Sequence, residues 1–209
     1  MTAPEPGARV VVETARPDEA VACARLIAEV LGDDEVIRAM VPVTRDRTAR
    51  LTALHAAQLR SGPLQDGTVD VARREPGGPV VGVAMWEAPG RGPHTADRLR
   101  QLLPTVRAIG LRHLAHTRHQ LAVYERHRPR RPHWYLADVA VSASARGLGV
   151  GSRLLAHRLV EVDREGLPAY LEATTPGSRR LYEKFGFHPL GPVPVRGPRP
   201  TAMLREPQA

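Results

Sequence analysis

The most specific chemical pattern in the chain is Arg146-Gly147-Leu148-Gly149-Val150-Gly151-Ser152. Glycines at alternate positions let the main chain approach a ligand closely, and the helical pattern that follows sets the unpaired amides of a helix start beside them. A phosphate or pyrophosphate fits such a cradle. A nicotinamide loop would follow the first strand of a βαβ unit, with an acid about 20 positions later, and a mononucleotide loop would carry Lys followed by Ser or Thr. Here the glycines come late and no such lysine accompanies them. Several other residues are equipped to move protons. Tyr182 offers a phenol, a neutral donor at pH 7, and Glu172 a carboxylate at the end of a strand-like run. Asp138 lies inside an apolar run, where a charge needs a partner or a cleft, so a structural ion pair competes with a role as base. Trp86 and Tyr135 have the ring systems to flank an aromatic or cationic ligand, with core packing as the commoner role of such side chains. His113, His116 and His119 have helical spacing, but no acid or cysteine completes a ligand set, and no metal site is expected.

These residues require elements to position them. His133 to Val141 is an aromatic and β-branched run that reads as a buried central strand, and it leads directly into the glycines. Leu154, Leu155, Leu159, Val160 and Val162 mark the helix after them, which stops near Gly166 and Pro168. Ala169 to Thr174 is a further strand and Gly177 to Phe185 a last helix. Strand, loop, helix, strand implies parallel neighbours. Upstream, Arg9 to Glu13 reads as a strand, and Pro17-Asp18-Glu19 opens a helix that Gly32 ends. Thr44 to Leu59 is a second helix with Thr44 as its cap; His55 lies on one side of it with Leu51, Leu54 and Gln58, where an ordinary histidine is expected. Residues 68–73 and 80–87 form a hairpin across Pro76-Gly77-Gly78-Pro79. Residues 94–128 are helical and rich in arginine and histidine, His94 and His127 included. Pro104 should interrupt this stretch, and Leu99, Leu102, Leu103, Val106, Ile109, Leu114 and Leu121 are its apolar positions. The proline-rich tail, 187–204, supplies one or two edge strands.

The composition sets outer bounds. The 209 residues suffice for one core, giving a single domain over 9–206 behind a disordered segment, 1–8, rich in Pro, Gly and Ala. A net charge of +8 attracts anions, but the arginines are scattered and no basic stretch interleaves with stacking aromatics, so nucleic acid is not an expected partner. Cys23 is the only cysteine, which excludes an internal disulfide framework and suits a reducing, cytoplasmic setting. Met1 is followed by neither a basic start nor an apolar segment, and no apolar run approaches the roughly 20 residues a bilayer requires. The sequence therefore predicts no signal peptide and no membrane association.

Two motifs in order give a resemblance. Arg146, Gly149 and Gly151, after the expected strand, match the acetyl-CoA signature of the GNAT (GCN5-related) N-acetyltransferases, which is Gln or Arg, two residues, Gly, one residue, then Gly or Ala. Leu181-Tyr182-Glu183-Lys184-Phe185-Gly186-Phe187 resembles that family's closing motif. A narrower likeness, to puromycin N-acetyltransferase and its relatives, is carried by Val83-Ala84-Met85-Trp86, Arg128-Pro129, Trp134-Tyr135-Leu136, Leu167 to Glu172 and Tyr182-Glu183-Lys184. The resemblance implies an α/β, three-layer fold: a central mixed β-sheet with splayed parallel strands, flanked by helices. It implies acetyl-CoA as co-substrate. The main chain at Val139, Ala140 and Val141 would hold the acetyl carbonyl and pantetheine arm, and amides from Gly147 through Leu148, Gly149 and Val150 to Gly151 and Ser152 the pyrophosphate. Leu148, where the family often has a basic residue, and Ser178, where it often has asparagine, depart from the pattern.

The activity so implied is acetylation of a primary amine on a small molecule, an aminonucleoside or another antibiotic of the resistance type, by direct attack. Backbone amides led by Val139 would stabilise the carbonyl oxygen, Tyr182 would protonate the departing thiolate, and Glu172 would take the amine proton, with Asp138 as rival base. Trp86, Tyr135 and Asp138 would contact the acceptor. The alternatives are acetylation of protein or peptide amines, and a non-catalytic acetyl-CoA sensor; the chain would act as a monomer or homodimer.

Overall fold

The computed structural model describes residues 10–42, 44–90 and 95–208; the expected N-terminal segment and His94 lie outside them. Seven strands form one sheet in the order β1-β2-β3-β4-β5-β7-β6. The strands are β1 (Val11–Thr14), β2 (Val69–Arg73), β3 (Val80–Glu87), β4 (Trp134–Val141), β5 (Ala169–Ala173), β6 (His188–Pro192) and β7 (Thr201–Arg205). All neighbours are antiparallel except β4 and β5. The helices are α1 (Ala20–Leu31), α2 (Glu35–Met40), α3 (Arg47–Arg60), α4 (Thr95–Ile109), α5 (Leu111–His127), α6 (Val150–Arg164) and α7 (Pro176–Lys184).

Side-chain alternation divides the helices between the two faces of the sheet. Trp134 and Leu136 of β4 and Leu171 of β5 pack with Leu154, Leu155 and Leu159 of α6 and Tyr182 of α7. On the opposite face, Val83 and Met85 of β3 meet Cys23, Ala24 and Ile27 of α1 and Leu59 of α3, while Tyr170 of β5 meets Val123 of α5. The result is the three-layer, mixed-sheet α/β architecture expected from the sequence.

Two departures from regular sheet build the centre. β4 pairs with β5 only from Trp134 to Leu136, against Ala169 to Leu171, and beyond that point continues along β3 alone. The parallel pair thus splays. In the same place Met85 faces Asp138 while Trp86 faces Leu136, leaving Ala137 as an extra residue, a β-bulge that bends β4 away from β5.

Buried arginines hold the layers together. Arg158 of α6 makes a two-pronged pair with fully buried Asp70 on β2, at 2.6 and 3.0 Å. Arg205 of β7 grips Asp163 of α6 at 2.6 and 2.7 Å. Its hydrogen bonds hold the Asp163 carboxyl below the usual carboxylate range. Arg73 joins Glu13, at 2.7 Å, and Glu19.

Several local expectations need correction. Pro104 lies inside α4, and the break falls at Gly110, whose φ of +82° suits glycine. Leu99, Leu102, Leu103 and Leu121 are more than half exposed, whereas Ala108, Ile109, Thr117, Gln120 and Val123 face inward. Gln120 turns inward because it donates to the Arg196 carbonyl at 2.8 Å. Asp46, not Thr44, occupies the N-cap position of α3, and the short α2 has no counterpart in the expected pattern. Of the two strands from the tail, β6 lies at an edge of the sheet, as expected, whereas β7 is interior, between β5 and β6.

Candidate active site

The glycine segment lies where the motif required. β4 ends at Val141, a short turn follows, and α6 starts at Val150. Gly147 and Gly149 have φ of +79° and +71°, in the left-handed region where a side chain is strained, and both are open to solvent. The first amides of α6 have no helical partner and point toward this exposed turn, with Arg146 and Arg153 exposed beside it. Two further glycines bring this helix start close to the sheet. A methyl group on Gly151 would lie 3.3 Å from Leu181 of α7, and one on Gly82 of β3 would lie 2.5 Å from the Val150 Cγ1. The sequence reading did not single out Gly82; its signal was a lone glycine inside an otherwise apolar strand.

Beside the splay, a cavity of about 700 Å³ opens, lined by Trp86, Tyr135, Asp138, Val139, Glu172 and Tyr182 together. Six expected site residues, separated by up to 96 positions in the chain (86 to 182), thus share one wall system. Ala140 is instead fully buried against α1, and Val141 packs toward α6. The Ser178 hydroxyl is engaged in capping α7: it accepts from the Thr175 amide at 3.2 Å, while the Thr175 hydroxyl oxygen accepts from the Ser178 amide at 3.1 Å. Ser178, named from the resemblance as a cofactor contact, thus serves as part of a helix cap.

Glu172 and Tyr182 differ in what they can do. The Glu172 Oε2 accepts from the Tyr135 hydroxyl at 2.9 Å, and its Oε1 is buried without a hydrogen-bond partner. Tyr170 lies near this carboxylate without a well-formed hydrogen bond to it. Burial pushes the Glu172 carboxyl above the ordinary glutamate range, opposed by the Tyr135 hydrogen bond and the Arg128 charge. A carboxylate with raised proton affinity and a free lone pair is suited to accept a proton. Tyr182 is 8% exposed, edge-on to Phe187, and burial raises its phenol well above the tyrosine range, with the Asp138 charge adding to the rise. It stays protonated across the physiological range and is suited to donate.

Behind Glu172 stands a cluster whose pairing the sequence did not disclose. The Arg128 guanidinium lies 3.5 Å over the centre of the Tyr135 ring, reaches Glu87 at 2.9 Å and Glu125 at 3.6 Å, and Tyr135 stacks on Tyr170. This fixes the ring whose hydroxyl holds Glu172. Arg128 follows α5 and precedes Pro129; only the packing of α5 over the sheet brings it to Tyr135. On the other wall, His55 of α3 is 6% exposed, with Nδ1 3.8 Å from the Asp138 Oδ2 and no hydrogen-bond partner. The Trp86 indole N–H is likewise buried without a partner. Among the described residues no group of three His, Cys, Asp or Glu could hold a metal, and no helix is long and apolar enough to cross a membrane.

Residues 106–187 match the family model described as Acetyltransferase (GNAT) family. The crystal structure of a Corynebacterium glutamicum protein, described as histone acetyltransferase HPA2 and related acetyltransferase, is 31% identical over 96% of this chain and 97% of its own, with a TM-score of 0.74. Arylalkylamine N-acetyltransferase 2 of Aedes aegypti shares the fold over 96% of this chain and all of its own, at 14% identity and a TM-score of 0.65. An uncharacterized N-acetyltransferase of Schizosaccharomyces pombe is 43% identical over 54 residues, 26% of this chain and 22% of that protein, so the match spans about a fifth of its length. A homologue at 31% identity thus shares the fold along nearly the whole chain, and with the family match over 106–187 this chain belongs to the GNAT family of acetyltransferases, whose acetyl donor is acetyl-CoA.

Proposed function

We propose that the protein transfers the acetyl group of acetyl-CoA to a primary amine of a small molecule, by direct attack with both substrates bound. The observation that carries this reading is the Glu172 carboxylate, buried with one oxygen unpartnered, in the same cavity as the Tyr182 phenol and beside the gap between β4 and β5. Amides from Gly147 to Ser152 hold the pyrophosphate, assisted by Arg146, while the main chain of β4 at Val139 to Val141 receives the pantetheine arm and polarises the acetyl carbonyl. Glu172 accepts the proton of the incoming amine, and Tyr182 donates to the departing thiolate. No covalent enzyme intermediate is needed, and Cys23 is fully buried against α1 neighbours with its thiol pushed up to about 12 by burial.

The acceptor we propose is an aminonucleoside or another amine-bearing antibiotic. Its support is the likeness of Val83 to Trp86, Trp134 to Leu136, Leu167 to Glu172 and Tyr182 to Lys184 to puromycin N-acetyltransferase, together with a cavity of about 700 Å³, the size of a small-molecule site. Trp86, Tyr135 and Asp138 form its acceptor wall, and the enzyme works as a monomer or homodimer. The test is thiol release from acetyl-CoA over a panel of primary amines that includes an aminonucleoside, phenethylamine and a diamine. CoA release with at least one is expected; none with any of them overturns the reading. A second reading, acetylation of protein or peptide amines, is favoured by the description of the C. glutamicum homologue as a histone acetyltransferase. Acetylated lysines or N-termini after incubation of proteins with labelled acetyl-CoA would favour it.

A further inference from the structure

We propose that Asp138, positioned by His55, is a second proton acceptor in the cavity, separate in task from Glu172, and that it returns a proton to Tyr182. The inference rests on the acetyl-transfer reading and assigns a further step within it.

The need for a second acceptor follows from the balance of protons. An alkylamine reaches the site as an ammonium carrying three N–H protons, since its proton affinity is near that of lysine, about 10 on the pH scale. The product amide keeps one. The C–N bond forms as the C–S bond breaks, so two protons leave nitrogen: one ends on the CoA sulfur and one in solvent. Glu172 takes the first, which makes the amine a nucleophile. Tyr182 gives its own proton to the sulfur and must recover one. The second proton, shed from nitrogen as the amide forms, is the one available.

Asp138 is placed for this transfer. It lies on β4 one residue before Val139, at the bulge where β4 leaves β5, and lines the cavity with Tyr182 and Glu172. Its charge acts on the Tyr182 phenol. His55, more than nine-tenths buried, presents Nδ1 toward the carboxylate at 3.8 Å. That distance is beyond a hydrogen bond, so neither group is spent on the other, and such contacts tighten when a substrate is bound. The groups around the pair leave it a clear role. Burial raises the Asp138 carboxyl, His55 opposes the rise, and Asp34, the N-cap of α2, adds to it with its negative charge. Among the described residues, α1 presents apolar side chains and Cys23 to α3, and β3 presents Met85 opposite Asp138. Across the cavity, Tyr124 and Arg128 accompany Glu172.

The test separates the two carboxylates by acceptor. Phenethylamine must lose two protons, whereas hydroxylamine is already neutral at pH 7 and must lose one. Steady-state thiol release is measured with each for the parent, Glu172→Gln, Asp138→Asn, His55→Ala and His55→Asn, with the CoA dissociation constant from calorimetry as a check on folding. Glu172→Gln is expected to lose about 10²-fold in kcat with phenethylamine and little with hydroxylamine, and Asp138→Asn about 10²-fold with both. His55→Ala should lose about tenfold and displace the acid limb of the pH–rate profile, and His55→Asn, which keeps a donor near the Nδ1 position, should recover part of the loss. Parent turnover that Asp138→Asn and His55→Ala leave intact, or Asp138→Asn spared by hydroxylamine as Glu172→Gln is, overturns the proposal alone. A parent that releases CoA, above the enzyme-free rate, neither with these two amines nor with any member of the panel overturns the transfer reading itself.

Discussion

Placing a single methyl group on Gly82 tests whether the cofactor cradle depends on the seating of α6. Gly82 lies in the interior of the sheet, opposite Ala72 of β2 and Val141 of β4, so its backbone cannot retreat. In Gly82→Ala the new carbon meets the Val150 Cγ1 at 2.5 Å, the Leu154 Cδ1 at 3.1 Å and the Ala72 Cβ at 3.3 Å. Carbon atoms prefer about 3.5–4.0 Å, so α6 must lift by roughly 1 Å at its first turn. Overpacking of this kind costs about 1–3 kcal/mol. Alanine gives back about 0.4–1 kcal/mol by restricting the unfolded chain, since the position is extended and needs no glycine for its φ. A net loss of about 1–2 kcal/mol follows, which for a chain of this length lowers Tm by about 2–8 °C. Val150 is the first residue of α6, so the same lift displaces the amides that receive the pyrophosphate. A tenfold weaker CoA complex would correspond to about 1.4 kcal/mol. Thermal unfolding followed by circular dichroism and calorimetric titration with CoA report the two effects. A double cycle with Val150→Ala, which removes the clashing carbon, should show favourable coupling between the sites. If Gly82→Ala melts at or above the parent temperature and binds CoA equally well, the close seating of α6 on β3 is not what holds the cradle.

Other outcomes can be stated from the same structure. Tyr182→Phe should reduce kcat by about 10²- to 10⁴-fold with CoA affinity within about twofold, as read by thiol release and calorimetry. Because burial raises the Glu172 carboxyl and the ionised form is the acceptor, the rate with phenethylamine should fall on acidification at a pH above the ordinary glutamate range. Glu172→Gln should remove the Glu172 share of that limb and leave the share set by Asp138. Asp70→Ala leaves the Arg158 guanidinium buried beside an empty partner position, and urea unfolding should show a loss of about 3–5 kcal/mol. The Asp163 carboxyl is held low by Arg205, so its stabilisation is present above the unfolded value, near pH 4, and is lost as pH falls through the lower folded value. The stability gap between the parent and Asp163→Asn should therefore be full at pH 6 and narrow on acidification below about pH 4.

How far the sequence discloses this structure depends on the range of the interactions involved. The run from His133 to Val141, the glycines and the helix after them are local signals, and each becomes the element its periodicity requires, within a residue or two. Pro104 misleads because a proline costs one backbone hydrogen bond, which a partly exposed helix tolerates, whereas the φ of Gly110 decides the break. The short α2 had a readable start: Asp34 accepts from the Val36 amide at 2.9 Å, the usual role of an aspartate before a helix. The leucines of α4 and α5 follow helical spacing, but which stripe faces inward is set by what α5 meets, and the Arg196 carbonyl draws Gln120 in instead. Glu172 and Tyr182 were legible because each belongs to a motif. His55 was not, since a histidine on a helix carries no mark of the strand that will face it, and the three-way contact of Arg128, Tyr135 and Glu172 joins residues whose proximity only the sheet register creates.

The seating of β7 between β5 and β6 has a temporal corollary. Ribosomes deliver strands in numerical order, so a nascent chain holds β5 with one flank bare until Thr201–Arg205 emerges to cover it. Bare flanks of this kind recruit strands from other molecules. Arg205 arrives in the same movement to clasp Asp163, which makes the last strand a latch as well as a cover. Lesions in that strand should surface as inclusion bodies and poor soluble yield, long before any surviving molecules reveal a defect in turnover.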